Sequence, residues 1–199
     1  MFPVHKIVVP PALRNVPNGE VPARLLVNVK PYGQLFWKAA VAYNNLVEAA
    51  KKDGIILGHV GAYRSLDQQV ALFKTRYSRK PTGRVPAVTR VWNGDVWHLR
   101  KGCAPAATPG KSNHGLAIAV DLCEMVGKRP ISLTMVGRRW LLSNAEKYGW
   151  CWEVADPGSP NFELWHLVCW DAGKVPVDEP MKPASRPKRL NRRERRGLG

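Results

Sequence analysis

The sequence predicts an α+β domain in which helices flank a small, mostly antiparallel sheet. Three observations carry that expectation: helix-like and strand-like periodicities alternate along the chain, the last two strand candidates follow one another directly, and no internal repeat competes with them. With 199 residues, 45% hydrophobic and 23% charged, the chain has material for one compact core and is neither fibrous nor wholly disordered.

Each element has a local reason. Residues 1–32 carry six prolines and read as an extended arm wrapping the domain rather than as regular structure. Over 34–52, apolar side chains recur at Leu35, Ala39, Ala42, Leu46 and Ala49, and the pattern stops at Asp53-Gly54, which predicts an amphipathic helix. Residues 55–60 form a short apolar strand. Ser65 can cap a helix over 66–77 with Val70 and Phe73 inward. Residues 78–111 are expected to be mostly loop, with a short hairpin over 88–97 turning at Asn93-Gly94.

The stretch 116–122 alternates, so a strand there places Leu116, Ile118, Val120 and Leu122 on one face and Ala117, Ala119 and Asp121 on the other. The first set packs a core, and the second leaves space around one carboxylate. A helix follows over 132–147, then two aromatic-rich strands over 150–154 and 165–170, separated by the loop 156–160. The predicted order is α-β-α-β-α-β-β.

Charge is the unusual feature. Thirty-one Lys and Arg against 15 Asp and Glu give +16, of which residues 182–199 contribute +7 (eight basic, one acidic) and the rest +9. An anionic partner is expected: nucleic acid, a membrane surface or an anionic cell-wall polymer, among which charge does not choose. No run approaches the ~20 apolar residues of a membrane span, and the first eleven residues hold only the apolar stretch 7–9 before two prolines, so neither a signal peptide nor an anchor is expected. Four cysteines without a CxxC pair read as reduced, buried thiols, although Cys151 and Cys169 would face each other if their segments paired as a hairpin.

Three pieces carry chemistry: Tyr63-Arg64-Ser65 with Gln69, Ser112-Asn113-His114 with Asp121, and Glu163-Leu164-Trp165-His166. A catalytic zinc takes three N or O ligands at ~2.0 to 2.2 Å and keeps a fourth position open. His114, Asp121 and His166 could supply those three. A regular helix would separate His114 from Asp121 by about 10 Å, and a straight strand would put them on opposite faces; a turn at His114-Gly115 followed by a strand lets both reach one point. Glu163 precedes His166 by three residues, one water away from such an ion, where a general base belongs. No HExxH helix is present. His5, His59 and His98 are read as structural, and the tryptophans at 150, 152, 165 and 170 as core or cleft walls.

The segments GAYRSLDQQ, SNHGLAIAVDL and ELWH resemble the three signature motifs of the zinc D-Ala-D-Ala carboxypeptidase family, which includes D,D-dipeptidases and phage L-alanyl-D-glutamate endopeptidases. The likeness covers roughly 33–170: the pattern S-x-H-x-x-G-x-A-x-D falls on Ser112, His114, Ala119 and Asp121, and E-x-W-H on Glu163, Trp165 and His166. It implies one zinc on His114, Asp121 and His166, Glu163 as catalytic base, Arg64 polarising the scissile carbonyl or holding substrate, and Ser112, Gln69, Tyr63 and Trp165 in substrate binding. One departure stands out: the family's glycine in the second motif is Ala117, whose extra methyl could narrow the site, although tolerance is expected because alanine is the next smallest side chain.

On this reading the chain divides into an arm (1–32), a zinc peptidase domain (33–175) and a basic Pro/Arg-rich tail (176–199). It is expected to hydrolyse peptidoglycan stem peptides, as a carboxypeptidase or an endopeptidase, in the manner of a phage lysin or virion tail hydrolase. It would be made in the host cytoplasm and act at the wall. Phage tail proteins are a further candidate partner through the basic tail, and nucleic acid is disfavoured. The competing expectation is a structural or binding module of a virion tail, in which the ion stabilises the fold and the tail docks on a partner or on nucleic acid.

Overall fold

The computed structural model describes residues 2–159 and 161–175; the basic tail read from the sequence lies outside them. A central sheet carries the site. Its strands are β3 (Leu57–Gly61), β7 (Ala119–Val126), β8 (Arg129–Ile131), β9 (Trp150–Cys151) and β10 (His166–Cys169). Their order is β3-β7-β10-β9, with β8 on β7, and every pairing is antiparallel. Two smaller sheets complete the architecture: the hairpin of β1 (Leu26–Asn28) and β2 (Gln34–Phe36), and a three-stranded sheet of β4 (Tyr77–Ser78), β5 (Thr89–Trp92) and β6 (Asp95–Leu99). The predicted α+β class is thus found.

Helix α1 (Trp37–Lys52) buries Ala39, Ala42, Tyr43 and Leu46 under the sheet. It begins three residues later than its periodicity suggests, because 34–36 are drawn into strand pairing with 26–28 and Phe36 N–H bonds the carbonyl of Ala117. Helix α2 (Leu66–Arg76) starts where expected: Ser65 accepts from Gln68 N–H, and the Gln68 side chain answers Ser65 N–H, a reciprocal cap. It ends one residue early, since Tyr77 enters β4. Helix α3 (Met135–Asn144) begins three residues later than expected, capped by Thr134, and its last predicted residues tighten into a 3-10 turn. The region expected to be mostly loop holds the predicted hairpin, turning at Asn93-Gly94 with both residues at positive φ. With Phe73, Tyr77, Trp97 and Leu99 it forms a second, smaller core.

Three local expectations need correction. The strand predicted over 116–122 starts only at Ala119, because 113–116 coil into a 3-10 turn ended by Ala117 in the left-handed region (φ 57°, ψ 30°). Ala117 and Ala119 are fully buried, so the small face is packed rather than open. Ala117 therefore does not narrow the cleft. Its family glycine is accounted for by backbone conformation, at a cost of roughly 1–2 kcal/mol for a residue bearing a Cβ. Cys151 and Cys169 sit on paired strands, but the register sets Cys151 opposite Val168 and Cys169 opposite Trp150, so the two thiols point to opposite faces. Both are free, and burial pushes them up to about 11 and about 12.

Residues 2–32 do more than wrap. Leu13, Val21 and Val29 are buried in the main core, Phe2 packs on Trp152, and Val8 N–H bonds the carbonyl of Trp170 at the end of β10.

Candidate active site

Register builds the site. His166, the first residue of β10, pairs directly with Asp121 of β7, so their side chains share a face. The last pair of β3 sets Gly61 on the other side of Asp121 after a bulge at Val60. A Cβ at Gly61 would collide with the Asp121 carboxylate, and only glycine leaves that carboxylate its place. The 3-10 turn Asn113–Leu116 swings His114 back over the same point, as the spacing required.

The result is a compact donor set. Asp121 Oδ1 lies 3.3 Å from His114 Nε2 and 3.2 Å from His166 Nδ1, and the three donor atoms all fall within 4.8 Å of one another. Tetrahedral ligands on ~2.0–2.1 Å bonds sit ~3.3 Å apart, so the spacing fits zinc. The outward nitrogens fix the tautomers: His114 Nδ1 donates to the Ala62 carbonyl at 2.7 Å, and His166 Nε2 donates to Glu153 Oε2 at 2.6 Å. That leaves Nε2 of His114 and Nδ1 of His166 facing the carboxylate. Burial opposes charge on Asp121, but in the metal-free site its interactions with the two imidazoles outweigh it and hold the carboxyl well below its ordinary range. For His166 burial also works against the charge, yet Asp121 and Glu153 carry it up to about 9.

These groups open into a cleft of about 370 Å³ lined by Arg64, Arg76, Ser112, Glu163 and Trp165 among others. Arg64 approaches the far oxygen of Asp121, Nη2 to Oδ2 at 3.6 Å. Burial lowers its pKa while Asp121 supports the charge. Glu163 ends the loop before β10, where His166 N–H closes a turn on its carbonyl. Burial raises its carboxyl above the ordinary glutamate value, with His166 acting against the shift. The arrangement can bind a cation, hold one carboxyl poised for proton transfer and present a guanidinium to a developing negative charge.

Two of the predicted substrate contacts have their polar groups engaged within the fold. Tyr63 is not among the cleft-lining residues, and its hydroxyl donates to the Gly19 carbonyl at 2.7 Å. Gln69 borders the cleft but is 4% exposed with its amide fully engaged: it donates to Asn18 Oδ1 and the Arg64 carbonyl and accepts from Gly110 N–H. Ser112 and Trp165 do line the cleft, Trp165 with 45% of its surface exposed. His59 is buried against Tyr43 and the Tyr32 carbonyl, and His5 meets Glu146, consistent with structural roles.

Sequence reasoning missed two residues. Glu153 bonds both His166 and Asn113, the latter at 2.6 Å, and so ties together the two segments that bear the histidines. The sequence offered only an acid at the end of an aromatic run. Asn18 donates to the Ser112 carbonyl at 2.8 Å and accepts from Gln69, while Gly19 bonds Gly115 and Leu66 through its backbone. The arm thereby clamps the first two motif segments, a role that its proline-rich composition conceals.

Comparison with known proteins agrees with this geometry. The family described as VanY, D-alanyl-D-alanine carboxypeptidase, matches residues 34–170. The YodJ protein of Bacillus subtilis (strain 168) is 30% identical over 138 residues, 65% of this chain and 44% of that protein, so the chain spans less than half the length of that curated relative. Among solved structures, a mutant of the vancomycin-resistance D,D-pentapeptidase VanY from a VanB-type cassette, in complex with Zn(II), is 19% identical, covering 81% of this chain and 85% of that one, with a TM-score of 0.51. The LD-carboxypeptidase LdcB is 24% identical, covering 77% and 70%, with a TM-score of 0.54. These likenesses in structure show the fold. With the family match spanning most of the chain, it follows that the chain belongs to the VanY D-alanyl-D-alanine carboxypeptidase family.

Proposed function

We propose that this chain is a zinc-dependent peptidase that hydrolyses the stem peptides of peptidoglycan. The observation that carries the reading is the placement of Asp121 Oδ1 at 3.2–3.3 Å from two imidazole nitrogens whose other nitrogens are already occupied, beside an open cleft. His114, Asp121 and His166 would hold the ion. When bound, zinc supplies a Lewis acid that polarises the scissile carbonyl and acidifies its water. Glu163 takes the proton from the attacking water, a step that its raised pKa assists because it makes the carboxylate a stronger base, and returns it to the departing amine. Arg64 stabilises the oxyanion or holds the substrate, and Ser112 and Trp165 contact the peptide.

The competing reading, a structural ion in a binding module, calls for a closed shell of four protein ligands. Among the described residues, three donors with a proton-transfer group and a cleft alongside favour catalysis. For the setting, we propose a phage lysin or virion-associated wall hydrolase, supported by the resemblance of the three motifs to phage endopeptidases. Proteomic detection of the chain in purified virions tests the virion form, and cleavage of the chain after Met181 with hydrolysis intact but assembly lost assigns the tail to docking.

The central test is a pair of variants assayed on wall fragments by mass spectrometry, which also separates release of a terminal residue from an internal cut. Glu163→Ala should keep one zinc and hydrolyse nothing, whereas His166→Ala should lose the metal. Full activity in Glu163→Ala overturns the mechanism.

A further inference from the structure

Positive charge is not spread evenly over the described residues. Residues 66–111, which make α2, β4–β6 and their loops, contain nine basic side chains and two acidic ones, a net +7. This region folds around its own small core of Phe73, Tyr77, Trp97 and Leu99. On its outer side lies an open groove of about 660 Å³, walled by Trp92 and Trp97 and edged by Lys74, Arg79, Lys80 and Arg100. Only Arg79 is ion-paired there among the described residues, with Asp95 at 2.7 Å. Lys74 Nζ stands 5.9 Å from the Trp92 ring and the Arg79 guanidinium 5.2 Å from the Trp97 ring, so aromatic faces hold the cations at the groove. Trp97 is 8% exposed, so the half-buried Trp92 supplies the more open aromatic face.

From this combination we infer a second binding site, separate from the zinc cleft, for an anionic wall polymer: a chain of sugar or polyol units linked by phosphates. Cations receive the phosphates, and the tryptophan walls receive the apolar faces of the units. Helix α2 joins the two sites. Its Gln69, Leu72 and Arg76 border the zinc cleft, and Lys74, on the same helix, borders the groove. A polymer held in the groove therefore keeps the cleft against the wall that carries the peptide. Choosing a wall polymer over nucleic acid rests on the proposed function, since an occupant beside the cleft must accompany the cleft's substrate.

The test is co-sedimentation of the full chain with insoluble walls, either untreated or stripped of phosphodiester polymers with hydrofluoric acid. The variant Lys74→Ala/Lys80→Ala/Arg100→Ala should bind untreated walls about tenfold more weakly and lower the slope of log affinity against log salt by about 2, at ~0.7 per phosphate contact. Wild type should bind stripped walls as weakly as the variant does. A control that neutralises the exposed Lys51, Lys52 and Lys128 removes equal charge elsewhere and should bind as wild type. Trp92→Ala, which leaves the charge unchanged, should also weaken binding. Equal binding by the wild type and the groove variant, equal loss in the control, or a single-stranded oligonucleotide displacing the chain more readily than free polymer overturns the inference. Cleavage of a soluble stem peptide is read in parallel: its absence in the wild type would count against the peptidase, while the polymer result still stands or falls on sedimentation.

Discussion

Removing Glu153 should weaken zinc binding, and the size and pH dependence of the loss follow from its contacts. Its carboxylate accepts from His166 Nε2 and from Asn113 Nδ2, each at 2.6 Å. A hydrogen bond to a charged group contributes about 1.5–3 kcal/mol, and outer partners of metal-bound imidazoles typically account for about 10- to 100-fold in affinity. Because the Glu153 side chain is 41% exposed, solvent screens part of that contribution, and the lower end, about tenfold or ~1.4 kcal/mol, is expected for Glu153→Ala. Glu153→Gln keeps an acceptor oxygen but not the charge, and should fall between.

Proton competition gives the prediction its sign. Asp121 and Glu153 together carry metal-free His166 up to about 9, so near neutrality a proton must leave before the metal binds. Deleting Glu153 lowers that pKa and eases the competition, which offsets part of the loss at low pH. Chelator competition on the metal-stripped chain should therefore show a larger deficit at pH 8.5 than at pH 6.5, with the fold checked by circular dichroism. Unchanged zinc affinity in folded Glu153→Ala at both pH values would refute the argument that this carboxylate orients His166.

Other consequences can be checked directly. Metal-free protein should lose thermal stability between pH 6.5 and 9: a raised histidine pKa stabilises fully below its unfolded value and that contribution disappears as pH climbs through the folded value, whereas the zinc-loaded form should be flatter over that range. Asn18→Ala removes two partly buried hydrogen bonds that clamp Ser112 and Gln69, about 1–3 kcal/mol, seen as a Tm drop of roughly 2–4 °C per kcal/mol; an unchanged Tm would dismiss the clamp. Gly61→Ala places a methyl against the Asp121 carboxylate and should cut hydrolysis by about 10²-fold while the chain stays folded, whereas normal activity and zinc content would show that the carboxylate has room to move.

Much of the molecule was legible in the residues because local physics is strong there. The Ser65 cap, the Asn93-Gly94 hairpin and the apolar stripe of α1 each follow from short-range rules and appear as read. His114, Asp121 and His166 could be grouped as well, since ligand chemistry and spacing left few alternatives. Long-range partners were not legible, because a local pattern does not say which distant backbone groups a segment will meet. Pairing with 26–28 took 34–36 from the helix, a left-handed Ala117 delayed β7, and a register offset kept Cys151 from Cys169. Glu153 and Asn18 acquire their roles only through partners 13 to 94 residues away, which tertiary packing alone brings within hydrogen-bonding reach.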